Sequence, residues 1–125
     1  MDIIFTDREL DVMAVLWDHG PATVAEVRER ITDPLAYTTV LTVLRTLEQK
    51  GHVGHEEEGK AYRYHPLVER EVAGESALRR IVGKVFRGSN ELLLTHLVDS
   101  ERLSDEEIRR MRGLLDERLG KGGGA

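Results

Sequence analysis

AYTTVLTVLRTLEQKGHV, residues 36–53, is the stretch whose reading decides the fold. At about 100° per residue, Thr38, Thr42, Arg45 and Gln49 fall in one narrow polar stripe, while Val40, Val43, Leu44 and Leu47 fill the opposite face. Such a helix has one side for a core and another for a partner. Threonine costs a helix roughly half a kcal/mol or more per residue relative to alanine, so Thr38, Thr39, Thr42 and Thr46 do not serve helix stability. A short side chain with a hydroxyl and a methyl can approach a phosphate or a thymine methyl closely. Residues 36–51 therefore read as a candidate recognition helix, closed by Gly51.

Working outward, Thr6 with Glu9 forms a capping box, and Phe5 with Leu10 is placed as its hydrophobic staple. A first helix starts there, continues through Met13, Ala14 and Trp17, and ends at Gly20 and Pro21. Thr23 with Glu26 repeats the box for a second helix, expected to run until Asp33 and Pro34. After Gly51 the period changes to two. Val53, His55, Tyr62 and Tyr64, on either side of the polar residues 56–60, predict a hairpin that Pro66 ends. Three helices followed by a hairpin is the order of a winged helix-turn-helix domain. The expected class is mainly α with a small β-hairpin.

From residue 68 the pattern is helical again. One segment carries Leu78, Ile81, Val82 and Val85, the next Leu93 and Leu97, and the last, behind a capping pair of Ser104 and Glu107, carries Ile108, Met111 and Leu115. These faces hold more apolar surface than a lone hairpin can bury, which predicts a second copy of the chain. The expected organisation is a winged-helix domain over residues 1–67, a dimerisation region over 68–119 and a disordered Gly-rich tail over 120–125.

Composition bounds the function classes. A chain of 125 residues is one domain's worth, and no apolar run reaches the ~18 residues of a membrane span. MDIIFTDREL opens with acid where a signal peptide would be basic, and there is no cysteine; the expectation is a cytoplasmic protein without membrane insertion, disulfides or thiolate zinc sites. The net charge of −5 lies wholly in residues 1–70, which hold eight Lys or Arg against thirteen Asp or Glu. That acidity counts against nucleic acid and favours an alternative, a winged-helix module that holds a protein partner without specific DNA binding. Around the third helix the balance is weakly positive, which keeps DNA in play with few ion-pair contacts and a shallow salt dependence.

Other chemistries fit less well. GHEEEGKA, residues 54–61, has the glycine and lysine spacing of a phosphate loop, but Ala61 stands where a Ser or Thr should hold magnesium, and Glu56, Glu57 and Glu58 would repel phosphate. His52, His55 and His65 read as surface histidines rather than a zinc site. No nucleophile elbow is present, and Glu106 and Glu107 sit at a helix start where they suit the dipole. Neither an enzyme nor a cofactor or metal is expected.

With TDRELDVMAVLWDHG at 6–20, AYTTVLTVLRTLEQKGHV at 36–53, and then Tyr62, Arg63 and Tyr64, the chain resembles the penicillinase-repressor family, that of the BlaI and MecI repressors. The resemblance implies a dimeric bacterial transcriptional repressor on a palindromic operator, with third helices about 34 Å apart on successive major grooves. Carried onto this sequence, it places Tyr37, Thr38, Thr39 and Thr42 against bases and phosphates, Thr23 on a phosphate, and Lys60 and Arg63 in the wing. Arg45 and Gln49, two and three turns from the helix start, are secondary. Members that sense β-lactams are relieved by cleavage of an Asn–Phe bond, which implies a regulatory protease as a partner. Here the region reads Leu94, Thr95, His96, Leu97, so that specificity does not carry over. Copper-responsive members use cysteines, of which this chain has none.

Overall fold

The structure is a computed structural model that describes residues 3–100 and 102–122. Contacts divide the chain into two compact units, Met1–Leu78 and Arg79–Ala125. In the first unit, helices α1 (Asp7–His19), α2 (Val24–Arg30) and α3 (Tyr37–Gln49) stand with a sheet of strands β1 (Ala22–Thr23), between α1 and α2, and β2 (Val53–Glu58) and β3 (Ala61–Pro66), after α3. The two capping boxes form as the sequence predicts. Thr6 and Thr23 accept from the backbone N–H of Glu9 and Glu26, whose carboxylates accept in return from the threonine N–H groups. Each box satisfies two of the donors that a helix start leaves open, so both helix starts are set locally.

Val12, Met13, Leu16, Val27, Val40, Leu44, Leu47, Val53 and Tyr64 are nearly or wholly buried and form the core, on which Val43 packs from the edge. The apolar face read from residues 36–51 is thus the face α3 turns to α1 and α2. The wing is a β2–β3 hairpin in register from Val53 opposite Pro66 to Glu58 opposite Ala61. Gly59 has φ +63 in its two-residue turn, a left-handed conformation that costs other residues roughly 1–2 kcal/mol. β3 is the central strand, because the two residues of β1 pair with it, Ala22 opposite Tyr64 and Thr23 opposite Arg63. Sequence period predicts only a hairpin; two residues are too short to carry a pattern.

One local expectation is corrected, the extent of α2, and two others gain tertiary partners. The Phe5 ring lies against Trp17, edge-on at 6.3 Å, and against His52 at 4.9 Å, and so packs on the domain core. α2 ends at Arg30 because Ile31 turns extended, with ψ 142, and buries itself in the core. The compact unit also extends past residue 67 into helix α4 (Arg70–Val85) as far as Leu78. Long-range bonds hold it there: Ser76 Oγ accepts from Ile3 N at 3.0 Å, Trp17 Nε1 donates to the Val68 carbonyl at 2.9 Å, and Arg70 pairs with Asp18.

The second unit holds the end of α4 and helices α5 (Asn90–Asp99) and α6 (Asp105–Gly122). Ser89 caps α5 by accepting from Leu92 N, and Ser104 caps α6 by accepting from Glu107 N. Between α4 and α5, Gly88 N–H reaches back to the Val82 carbonyl at 2.8 Å while Arg87 takes φ +56. The bond spans one residue more than a Schellman closure, and both Arg87 and Gly88 (φ +75) are left-handed, arginine standing where glycine is usual. α6 continues to Gly122, so residues 120–122 are helical where a disordered tail is expected, with Lys121 paired to Glu117 one turn back at 2.7 Å. The rest of that tail, residues 123–125, lies outside the described residues.

Candidate nucleic-acid interface

The outer face of α3 is built by what holds its inner face and its ends. Val40, Leu44 and Leu47 are fully buried, which turns Thr38, Thr42, Arg45 and Gln49 outward, all exposed. At its start, Arg28 Nε donates to the Leu35 carbonyl at 3.1 Å and pins the turn between α2 and α3. At its end, the Lys50 ammonium donates to both carboxylate oxygens of Glu9, at 2.8 and 3.0 Å, and so ties α3 to the first turn of α1. Glu48 reaches the wing instead, 2.6 Å from His55 Nδ1. None of these long-range ties is legible in sequence, since the residues of each tie fit ordinary surface positions on their own elements.

Glu9 is only 4% exposed. Burial by itself raises a carboxyl's pKa, but the Lys50 ammonium and the Thr6 N–H outweigh it and hold Glu9 below the ordinary 4.5. It therefore stays ionised in the core at neutral pH, with every buried lone-pair demand met from α1 and α3. Tyr64 is equally central: its hydroxyl is pushed up by burial and by the Glu48 charge, and its ring stands beside those of His55 and Tyr62.

α3 differs from α1 and α2 at its start. Ala36 occupies the N-cap and supplies no side-chain bond, so the positive end of this helix is left without an acidic cap or an acidic first turn. Tyr37, Thr38 and Thr39 surround that end, all exposed. Arg45 and Lys60 are exposed and have no ion pair among the described residues, Lys60 standing in the wing turn.

The remaining two residues expected at the interface stand opposite one another in the β1–β3 pairing. Thr23 Oγ1 is an acceptor in its capping box, which leaves its hydroxyl hydrogen for another partner. Arg63 has a different role from the one expected of a wing cation. Its guanidinium bonds Glu58, Glu26 at 2.9 Å and the Pro21 carbonyl at 3.1 Å, so its charge is used to anchor β3 to the start of α2. The same contacts show in the pKa values: Arg63 is raised by Glu58 first, and Glu26 is lowered by the Thr23 N–H first, with Arg63 adding to it. One of the three wing carboxylates is thereby neutralised within the chain.

The histidines are placed apart. His52 lies on Phe5, His55 stacks on Tyr62 at 4.2 Å with its other contact on Glu48, and His65 lies against Gly54, where an added Cβ would meet its ring at 3.0 Å.

Against the known families, residues 5–117 match the model described as "Penicillinase repressor". The chain belongs to the penicillinase repressor family. Among the relatives of this penicillinase repressor family member is the transcriptional regulator BlaI of Mycobacterium tuberculosis, 35% identical over 115 residues that cover 89% of this chain and 82% of the relative. The penicillinase repressor of Bacillus licheniformis is 26% identical over 114 residues, covering 90% of this chain and 89% of the relative. In structure, the chain is similar to the DNA-binding domain of the repressor BlaI, at 32% identity and a TM-score of 0.50, over 56% of this chain and 90% of that one. The chain is thus a winged-helix member of the penicillinase repressor family, with β2–β3 as the wing. Among its described residues, no helix is long and apolar enough to cross a membrane.

Proposed function

We propose that this chain is a transcriptional repressor that binds a palindromic double-stranded operator as a homodimer, with α3 of each copy in a major groove. The observation that carries the reading is the outward face of α3. It is polar, nearly uncharged, open at the helix start, and fixed at both ends by Arg28 and by the Glu9–Lys50 pair. Tyr37, Thr38, Thr39 and Thr42 are the base and phosphate contacts, Thr23 a phosphate contact, and Arg45 and Lys60 the cations that face the backbone. Arg63 is assigned to hold the wing.

The second copy is supported by apolar side chains that a single chain leaves in water. Leu78, Ile81, Val85, Leu97 and Leu115 are each close to half exposed or more, whereas Leu93, Ile108 and Met111 are half-buried. Exposed apolar surface of this kind marks an interface. Val82, expected in the same set, is buried within the single chain and is left out. Relief by a protease of the β-lactam-sensing specificity is not carried over, since residues 94–97 read Leu-Thr-His-Leu in place of an Asn–Phe bond; relief by another protease or another signal stays open.

Mobility shift with sedimentation tests the assignment. Changing Thr38 and Thr42 together to alanine weakens specific binding and leaves the dimer intact, whereas Leu115→Lys gives a monomer; unchanged operator affinity in the double variant overturns the α3 assignment. The acidity of residues 1–70 favours a second reading, a module for a protein partner. No retention on a heparin or random-DNA column at low salt would support that reading instead.

A further inference from the structure

The threonines on the outward face of α3 are not equivalent. Thr42 Oγ1 donates to the Thr38 carbonyl oxygen at 2.9 Å, and Thr46 Oγ1 donates to that of Thr42 at 2.9 Å. A threonine hydroxyl has one hydrogen to give, so both are spent within the helix. Thr38 and Thr39 belong to the first turn, where the residues four back, Pro34 and Leu35, precede the helix; their hydroxyls have no partner among the described residues. Thr46 is half-buried, while Thr42 is exposed at the middle of the stripe. Thr42 therefore has no hydrogen for a phosphate oxygen or a purine N7. What it offers outward is a methyl group, held in one rotamer by the bond its hydroxyl makes to the preceding turn, beside an oxygen that can only accept.

The floor of a major groove presents one apolar counterpart, the C5-methyl of thymine. We propose that Thr42 reads a thymine in each half-site by methyl-to-methyl contact, its hydroxyl acting only to fix the side chain, while Thr38 supplies the hydrogen bond of the stripe. This rests on the reading of α3 as the DNA-contacting helix. It deepens that reading by dividing the stripe into a methyl reader and a hydrogen-bond donor. It also fits the sparse charge of the interface, where discrimination has to come from close neutral contacts.

The test uses the full chain and a duplex selected from a random pool for tight binding, in which each thymine is replaced in turn by deoxyuridine, which lacks only the methyl. At one thymine per half-site the replacement weakens binding about fourfold, equivalent to ~0.8 kcal/mol for one buried methyl at ~1.36 kcal/mol per tenfold. Thr42→Val, which keeps the methyl, binds within about twofold of the parent chain, a difference of under ~0.5 kcal/mol. Thr42→Ser keeps the hydroxyl, loses about fourfold by the same measure, and no longer distinguishes thymine from deoxyuridine there. Thermal melts of each variant confirm that it is folded. Binding by Thr42→Ser at the parent level, with a loss of tenfold or more in Thr42→Val, overturns the proposal, because the hydroxyl would then be the ligand. If no deoxyuridine matters and Thr42→Ala is silent while Thr38→Ala weakens binding, the methyl reading falls and the α3 assignment stands. If both alanine variants are silent, both fall.

Discussion

Replacing Lys50 by methionine removes the cation that holds α3 to α1 and keeps most of the stem. The Glu9 carboxylate, 4% exposed, would be left with the Thr6 N–H at 2.8 Å as its remaining partner. Breaking a fully buried ion pair costs roughly 3–5 kcal/mol. The Lys50 side chain is 41% exposed, so water screens its end of the bond and the cost falls to about 2 kcal/mol. At roughly 4–8 °C per kcal/mol for a unit of this size, the melting temperature drops by about 8–16 °C. The pH dependence is the sharper signature. Burial works against ionised Glu9, but Lys50 and Thr6 lower its folded-state pKa below the ordinary 4.5. A carboxylate lowered in this way contributes stability that is complete above its unfolded pKa and is lost as pH falls through the folded value. Thermal and urea melts of the two proteins should therefore differ by the full amount at neutral pH and converge in acid, below 4.5, as Glu9 protonates. A gap that stays constant with pH, or one under about 0.5 kcal/mol at neutral pH, would refute the reasoning.

Thr6→Ala and Thr23→Ala each lose a capping box and about 1 kcal/mol of stability in urea melts; under the proposed function only Thr23→Ala also weakens operator binding, because only Thr23 is assigned to the interface there. In salt-dependent binding, Lys60→Gln and Arg45→Gln each lower the slope of log K against log salt by about 0.9, whereas Arg63→Gln leaves the slope unchanged, its charge being engaged with Glu26 and Glu58. Gly59→Val, placed at φ +63 in the wing turn, costs roughly 1–2 kcal/mol on thermal unfolding. Under the proposed dimer, Ile81→Glu shifts sedimentation to the monomer, since a charge on that exposed face opposes burial against a second copy.

The parts of this fold that are legible in sequence are those whose cause is local. Thr6 with Glu9 and Thr23 with Glu26 lie three residues apart, so the pattern that predicts each capping box is also the contact that makes it. The two faces of α3 are legible for a similar reason: the period that puts Val40, Leu44 and Leu47 on one side puts Thr38, Thr42 and Arg45 on the other. The family resemblance stands on those same segments. Composition misleads at the end of the chain, where glycine predicts disorder and α6 nonetheless continues to Gly122.

What tertiary structure alone decided is how charge and hydroxyls are spent. By sequence, Arg63 is a free wing cation, and only the pairing of β3 with β1 brings it to Glu26, thirty-seven residues earlier. Glu9 and Lys50 are forty-one residues apart and look like two surface charges until α1 and α3 pack together. Thr38 and Thr42 are one residue type at one helical spacing, yet one hydroxyl has no partner among the described residues and the other is closed on a backbone carbonyl. Periodicity reports which face a side chain takes, because a helix repeats; the partner of each polar atom depends on which elements meet, and a single chain's pattern carries no record of that.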